Sequence, residues 1–400
     1  MTPPRLENQA WMTAPETRAV MDALNVAGDE ARFVGGCVRN ALMGEPVDDV
    51  DIATRLPPPE VIRRLTDAGL RVVETGLAHG TVTAISGGRP FEITTLRVDV
   101  ETDGRRANVA FVGDWAADAA RRDFTINALY VNAAGDLFDY AGGLADIADR
   151  RVRFIGVPEA RIEEDYLRIL RFYRFFAWYG TSAPDKAAEA AIASHLAGLK
   201  GLSAERVQKE FLRLLQARDP VIALKAMAQN GVLAALLPEA LHIDRVERLI
   251  ALGDGRDPVL RLAALIAPGT AGPVAQRLKL SNAMAERLAQ LEKPNVPLTD
   301  EAALRRALYA LGAPLVGDLA RLYCASHLLT DAQCKTICAA AQGFEKLLFP
   351  LTGSDVLARG VPAGPRVGEI LRTLEAEWVD ANFAGDRAAL LKRLDAALKS

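Results

Sequence analysis

Asp49 and Asp51, two residues apart, follow shortly after the glycine pair Gly35-Gly36. The glycines end Ala31-Arg32-Phe33-Val34, which reads as a short buried strand, and they open a helix signal. Glycine at both positions lets backbone N–H groups come close to a bulky anion, and the helix N-terminus points its partial positive charge at the same place. Arg39, one turn into that helix, adds a cation whose planar fork matches a phosphate. Asp49 and Asp51 fall at i and i+2 of Asp-Val-Asp-Ile-Ala-Thr, a second predicted strand. Alternation then sets both carboxylates on one face and turns Val50 and Ile52 into the core. Hard oxygen ligands beside a phosphate cradle describe a magnesium site for phosphoryl or nucleotidyl transfer. Taken singly, a Gly-Gly pair is an ordinary turn and Asp-x-Asp an ordinary strand end.

Joined as G-G-x-V-R-N-x-L-x-G-x(4)-D-x-D-I-A-T, the two halves resemble the signature of the class II tRNA nucleotidyltransferase and bacterial poly(A) polymerase family. The rest of the chain extends the resemblance. Arg121-Arg122-Asp123-Phe124-Thr125-Ile126-Asn127 sets paired guanidinium groups beside an aspartate and an asparagine. Such a group offers charge to a triphosphate and neutral hydrogen bonds to a sugar, although alone it also reads as a surface ion-pair cluster. The stretch matches the family's second motif. The match implies that Arg122 contacts nucleotide, with Asp123 and Asn127 reading the ribose; Gly36 and Arg39, in the first motif, are the nucleotide contacts expected of the phosphate cradle.

Glu164-Asp165-Tyr166-Leu167-Arg168 satisfies a further family motif, Glu-Asp-x-x-Arg. On one continuous helix Asp165 and Arg168, at i and i+3, lie side by side, which by itself is an ion pair of a few tenths of a kcal/mol. A carboxylate next to a guanidinium is also an acceptor next to a donor. That complements the exocyclic amine and ring nitrogen of cytosine or adenine. Uracil and guanine present the reverse order, and a mismatched buried polar group costs about 1–3 kcal/mol. The resemblance implies that Asp165 and Arg168 select the base without a template, and that Arg171 and Arg174 are further nucleotide contacts. It implies two Mg²⁺ ions on Asp49 and Asp51, tRNA as acceptor, and CTP and ATP as substrates. Addition of C, C and A to a tRNA 3′ end is the leading expectation. Poly(A), CC-only or A-only addition shares nearly all these motifs, and a non-catalytic RNA-binding module would be expected to lack the carboxylates. The C-terminus, Asp386 to Ser400, has no long basic extension of the kind such polymerases tend to carry.

These residues need a sheet and then helices to hold them. Arg71-Val72-Val73-Glu74, Thr81-Val82-Thr83-Ala84-Ile85 and Phe91-Glu92-Ile93-Thr94-Thr95-Leu96 read as strands, the last two joined by a Gly87-Gly88 hairpin. Glu92 alternates with Ile93 and is a third candidate metal ligand, or an exposed strand glutamate. His79, in His79-Gly80-Thr81, suits a structural or orienting role. Residues 98–113 are polar and aperiodic and read as a mobile loop, where the family has one that aids nucleotide switching. A leading helix is expected over 14–30 and another after Pro57-Pro58-Pro59. From about residue 158 helical signals replace strands, with Leu167, Leu170 and Phe172 or Tyr173 facing the core. The fold expected is α+β: a nucleotidyltransferase-type head over 1–150 with a mixed sheet, a helical neck over 151–240 with the nucleotide-selecting motif, and an all-helical, tRNA-binding body and tail over 241–400. Two family positions differ: Asn40 stands where Asp is usual and Tyr166 where Pro is usual.

Composition agrees. The chain has 400 residues, 50% apolar and 25% charged, with net charge −3. The whole molecule therefore carries no basic signature for nucleic acid. Residues 150–174 nonetheless hold seven arginines against four acidic residues, which marks a local site. No signal pattern opens the chain and no run of about 18 apolar residues occurs, so a cytoplasmic protein without membrane or protein partners is expected. Cys334 and Cys338, one helical turn apart, read as packing. None of His79, His195, His242 and His327 is followed by Asp, which argues against a metal phosphohydrolase site.

Overall fold

The computed structural model describes residues 5–398 except 8, 27, 29, 103–106, 182 and 293–295. Its strands are β1 (Ala31–Val34), β2 (Asp51–Thr54), β3 (Arg71–Gly76), β4 (Thr81–Ser86), β5 (Arg89–Thr95), β6 (Arg97–Thr102), β7 (Ala107–Phe111), β8 (Leu129–Val131) and β9 (Leu137–Asp139). Seven form one sheet in the order β3-β4-β5-β2-β1-β8-β9. β2 and β5 run parallel and every other neighbouring pair is antiparallel, so the sheet is mixed as expected. Ser86 pairs with Arg89 across Gly87-Gly88, the expected two-residue hairpin turn.

Alternation along the central strands divides the buried side chains between two clusters. Phe33, Ile52, Phe91 and Ile93 pack with Val38, Leu65 and Val82 on one side. Val34, Ala53 and Tyr130 pack with Leu96, Trp115 and Ala128 on the other. The sheet is thus covered on both faces, and Asp51 opens β2, its central strand.

Three local expectations change. Asp49 is exposed in the segment leading into β2, which begins only at Asp51. The loop expected over 98–113 is largely a two-stranded ribbon, with Arg97 opposite Phe111 and Thr102 opposite Ala107. Asp103, Gly104, Arg105 and Arg106 lie outside the described residues. The leading helix is Pro15–Leu24, after a single turn at Ala10–Thr13.

The chain divides into two compact units, Met1–Pro238 and Glu239–Ser400. The first ends in helices that include Pro158–Glu164, Leu167–Tyr179, Lys186–Ser194 and Ala204–Leu215. Leu167, Leu170, Phe172 and Tyr173 are all buried there, as the periodicity predicts. The second unit is helical from Ile243–Ala251 to Arg387–Ala397 among the described residues. One of its cores gathers Val316, Leu319, Cys324 and Ile337, and another Val356, Leu374, Trp378 and Leu394. Cys334 and Cys338 are free thiols, 4.0 Å apart, at that first core. Residues 358–364 separate the Gly353–Leu357 helix from Pro365–Asp380.

Candidate active site

The glycine pair makes the turn from β1 into the Gly36–Met43 helix. Gly35 has φ 71° and ψ −119°, a conformation that an L side chain strongly resists. A Cβ on Gly35 would point at the Arg122 guanidinium and one on Gly36 at that of Arg39, each at 3.7 Å. The bare backbone therefore forms one wall of a cavity of about 550 Å³ within the first unit. Arg39, Arg97, Arg121, Arg122, Arg168, Arg171 and Arg206 line it against Asp51, Asp123 and Asp165, with Phe175 as an aromatic plate. An excess of guanidinium groups around a space of this size suits a polyphosphate.

Each arginine is held by a partner that fixes its direction. Asp118, nearly inaccessible, bonds Arg121 at 2.6 Å, Arg122 at 3.0 Å and the Tyr130 hydroxyl at 2.7 Å. Burial works against its charge, yet the two guanidinium groups and the hydroxyl hold its carboxyl below the usual range. Asp123 accepts from Arg171 at 2.8 and 2.5 Å, from Asn127 at 3.0 Å and from the Phe124 N–H at 2.9 Å. These bonds overcome desolvation and bring its carboxyl from 3.8 to about 2. Arg171 also lies 3.7 Å from Glu210, which bonds Arg174 at 2.5 Å. Arg174 is thus turned onto Glu210 and Phe175 and does not line the cavity.

Arg39 is more confined than the sequence suggests. It is buried, donates to Asn127 Oδ1 and to Asn40 at 2.9 Å, and bonds the Tyr179 hydroxyl at 2.8 Å. Burial pushes its guanidinium down from its usual value, with Tyr179 opposing the shift. Arg39 therefore joins the glycine turn to the Leu167–Tyr179 helix while one edge still borders the cavity.

Asp165 and Arg168 share the cavity but not one helix face. Asp165 ends Pro158–Glu164 in an extended conformation, φ −158° and ψ 104°, and Leu167 starts the next helix. Its carboxylate caps that helix through the Leu167 N–H at 3.1 Å and bonds Arg206 at 2.6 Å. Arg168 Nη1 instead donates to Glu164 and, at 3.0 Å, to the Arg161 carbonyl. The expected i, i+3 contact fails because the helix breaks between its members. Arg97, Asp118, Phe175, Arg206 and Glu210 were not anticipated as parts of the site. Asp118 alone carried a local signal, at i−3 and i−4 from the arginine pair.

Asp51 stands opposite Glu92 in the parallel register of β2 and β5. Burial first, and then the Glu92 charge, push its carboxyl from 3.8 up to about 6, with Arg122 opposing and Asp49 adding. Among the described residues its carboxylate has no hydrogen bond or ion pair, and no three His, Cys, Asp or Glu side chains converge on one point. A half-buried, unpaired carboxylate beside a second acid is an arrangement that a hard divalent cation relieves, and these residues fit one.

Two family models match: the poly A polymerase head domain over residues 31–153, and a probable RNA and SrmB-binding site of polymerase A over 183–243. A mitochondrial CCA tRNA nucleotidyltransferase 1 of Mus musculus is 32% identical over 374 residues, covering 90% of this chain and 86% of that protein. A CCA-adding enzyme of Lactobacillus delbrueckii subsp. bulgaricus is 33% identical over 399 residues, covering 94% and 96%. The chain belongs to the CCA tRNA nucleotidyltransferase family. The crystal structure of the Bacillus stearothermophilus CCA-adding enzyme with CTP superposes with a TM-score of 0.77 at 26% identity, covering 96% of this chain and 97% of that one. Membership extends the resemblance read in the motifs of residues 35–168 through the helical second unit, and it implies nucleotidyl transfer dependent on a divalent metal. Among the described residues no helix is long and apolar enough to cross a membrane.

Proposed function

We propose that this CCA tRNA nucleotidyltransferase adds C, C and A to the 3′ end of tRNA, taking CTP and ATP in turn into the arginine-lined cavity. The observation that carries the reading is the convergence of three separate segments, Gly35-Gly36, Arg121–Asn127 and Asp165–Arg171, on that one space. In the reaction the terminal 3′-hydroxyl oxygen bonds to the α-phosphorus as the bond to the departing pyrophosphate breaks. Arg122, steered by Asp118, and the Gly36 N–H hold the triphosphate, with Arg39 closing the turn behind it. Asp123 and Asn127, fixed to Arg171 and Arg39, present polar edges to the ribose. Arg174 acts through Glu210, which borders Arg171. Asp49 and Asp51 would hold Mg²⁺, with Glu92 flanking. A metal held there would offset negative charge on the phosphates and on the attacking and leaving oxygens.

Base selection rests on what Asp165 and Arg168 leave free. The Asp165 carboxylate keeps unused lone pairs after bonding Arg206 and Leu167. Among the described residues, Arg168 Nε and Nη2 donate to nothing. One side chain thus offers an acceptor and the other a donor, the pattern that C and A complement. Residues 241–400, within the second unit, are assigned to the tRNA body, and the cytoplasm expected from the sequence is part of this proposal.

The test is extension of a tRNA lacking its CCA, with each nucleoside triphosphate alone and in combination, at single-nucleotide resolution. C-C-A followed by arrest is the expected result. A long A tail, or addition limited to CC or to A, would replace the proposal with one of its rivals. No extension, with tRNA and Mg²⁺ present, would leave the binding-module reading.

A further inference from the structure

Asp165 and Tyr166 carry a backbone that a proline at 166 would also adopt, although no proline is present. Tyr166 has φ −59°, within the range a pyrrolidine ring fixes. Asp165, with φ −158° and ψ 104°, is extended, the broad region to which a residue before proline is biased. Among the described residues the Tyr166 backbone N–H donates to no acceptor. Something other than a ring has to keep this break from relaxing into continuous helix.

The neighbouring short helical turn Leu196–Gly201 supplies it. A Cβ on Gly198 would fall inside the Tyr166 ring, so the ring lies directly against the Gly198 backbone. The same turn is tied on by His195, whose Nε2 is 3.2 Å from Glu163, and the Gly198 N–H bonds the His195 carbonyl at 3.2 Å. The turn thus grips the chain on both sides of Asp165. Tyr166 itself does not line the cavity.

We propose that Tyr166 is a positioning residue for base selection, its ring seated on Gly198 holding Asp165 in the extended break that aims its carboxylate into the cavity. The inference rests on the proposed role of Asp165. With the ring unseated, Asp165 gains freedom to join the preceding helix, and its register with Arg168 is lost. A displacement near 1 Å in a positioning group costs up to about a hundredfold in rate, so a loss of about tenfold in selectivity is the expected reading.

The experiment uses the full chain and a tRNA ending before its CCA, with kcat and KM measured separately for CTP, ATP and UTP. Tyr166→Ala and Gly198→Ala are expected to lower the preference for CTP over UTP about tenfold, mainly through kcat for CTP. Tyr166→Phe keeps the ring and Tyr166→Pro replaces it by a covalent constraint, so both are expected to retain wild-type preference. Tyr166→Pro in the Gly198→Ala background should restore it, since proline needs no seat. Melting temperatures identify variants that merely fail to fold, and Tyr166→Ala, which creates no clash, covers that risk for Gly198→Ala. Unchanged preference in folded Tyr166→Ala, or failure of proline to restore the double variant, overturns the proposal. If Asp165→Ala also leaves preference intact, the base-selecting reading itself has failed; if Asp165→Ala alone blurs it, only the role of Tyr166 has.

Discussion

The Asp123–Arg171 pair allows a prediction with a magnitude and a sign. Asp123→Asn keeps the shape and the hydrogen bond to Phe124 but removes the charge facing Arg171. The native carboxyl titrates at about 2, against 3.8 in its ordinary state. At about 1.36 kcal/mol per pH unit, that gap corresponds to roughly 2.4 kcal/mol of stability. Because the folded value is the lower one, the contribution is fully present above pH 3.8 and is lost as pH falls towards 2. Near pH 3 about 1.4 kcal/mol should remain. Glu210, 3.7 Å from Arg171, gives the stranded guanidinium a second carboxylate and keeps the loss below the 3–5 kcal/mol typical of a broken buried pair. Trp11, Trp115 and Trp178 lie in the first unit and Trp378 in the second. Urea unfolding followed by tryptophan fluorescence in a Trp378→Phe background therefore reports the first unit alone. The wild-type-minus-variant difference should be about 2.4 kcal/mol at pH 7 and shrink to about 1.4 near pH 3. All other groups titrate alike in both proteins and cancel. A difference that does not change with pH, or one under about 0.5 kcal/mol at pH 7, would refute the reasoning.

Other perturbations separate chemistry from scaffold. Asp51→Ala or Asp49→Ala should abolish nucleotide transfer while tRNA binding, followed by gel retardation, survives; for Asp51, loss of a mutually repelling acid should leave the melting temperature unchanged or raised. Asp165→Ala or Arg168→Ala should admit UTP and GTP while leaving some transfer, and full fidelity in Asp165→Ala would remove the base-reading role. Gly35→Ala forces a side chain into a conformation costing about 1–3 kcal/mol and should weaken CTP and ATP alike, seen as parallel rises in KM. In the second unit, Arg261→Ala leaves Asp254 buried without its partner and should cost that unit roughly 3–5 kcal/mol in urea unfolding.

The parts of the site legible in the sequence are those whose geometry is local. Gly35-Gly36 and Asp51 could be placed because a strand, a turn and a helix follow one another, so spacing alone determines where they point. Asp123 and Asn127 are four residues apart and meet through one hydrogen bond of 3.0 Å, again within reach of spacing. Asp165 was misplaced because an i, i+3 argument presumes an unbroken helix, and no Gly or Pro marks this break. It is set by Gly198, more than thirty residues away, whose missing side chain makes room for the Tyr166 ring. The β6–β7 ribbon escaped for a related reason: among the described residues its strands pair with each other and not with the main sheet, so no period-2 apolar pattern is needed to seat it there.

The partners of the arginines were the least legible part. Arg174 owes its direction to Glu210, and Asp165 is bonded to Arg206, 41 residues on, and both partners come from the Ala204–Leu215 helix. A sequence shows that an arginine is present, but its fork is useful to a phosphate or a base only when some nitrogens are already held and others are left over. Arg168 illustrates the difference. Its Nη1 is anchored to Glu164 and the Arg161 carbonyl, which among the described residues leaves Nε and Nη2 undonated, the pair assigned to a base in the proposed function. Specificity of that kind comes from the partition of donors between scaffold and substrate, and that partition is a property of the folded cavity.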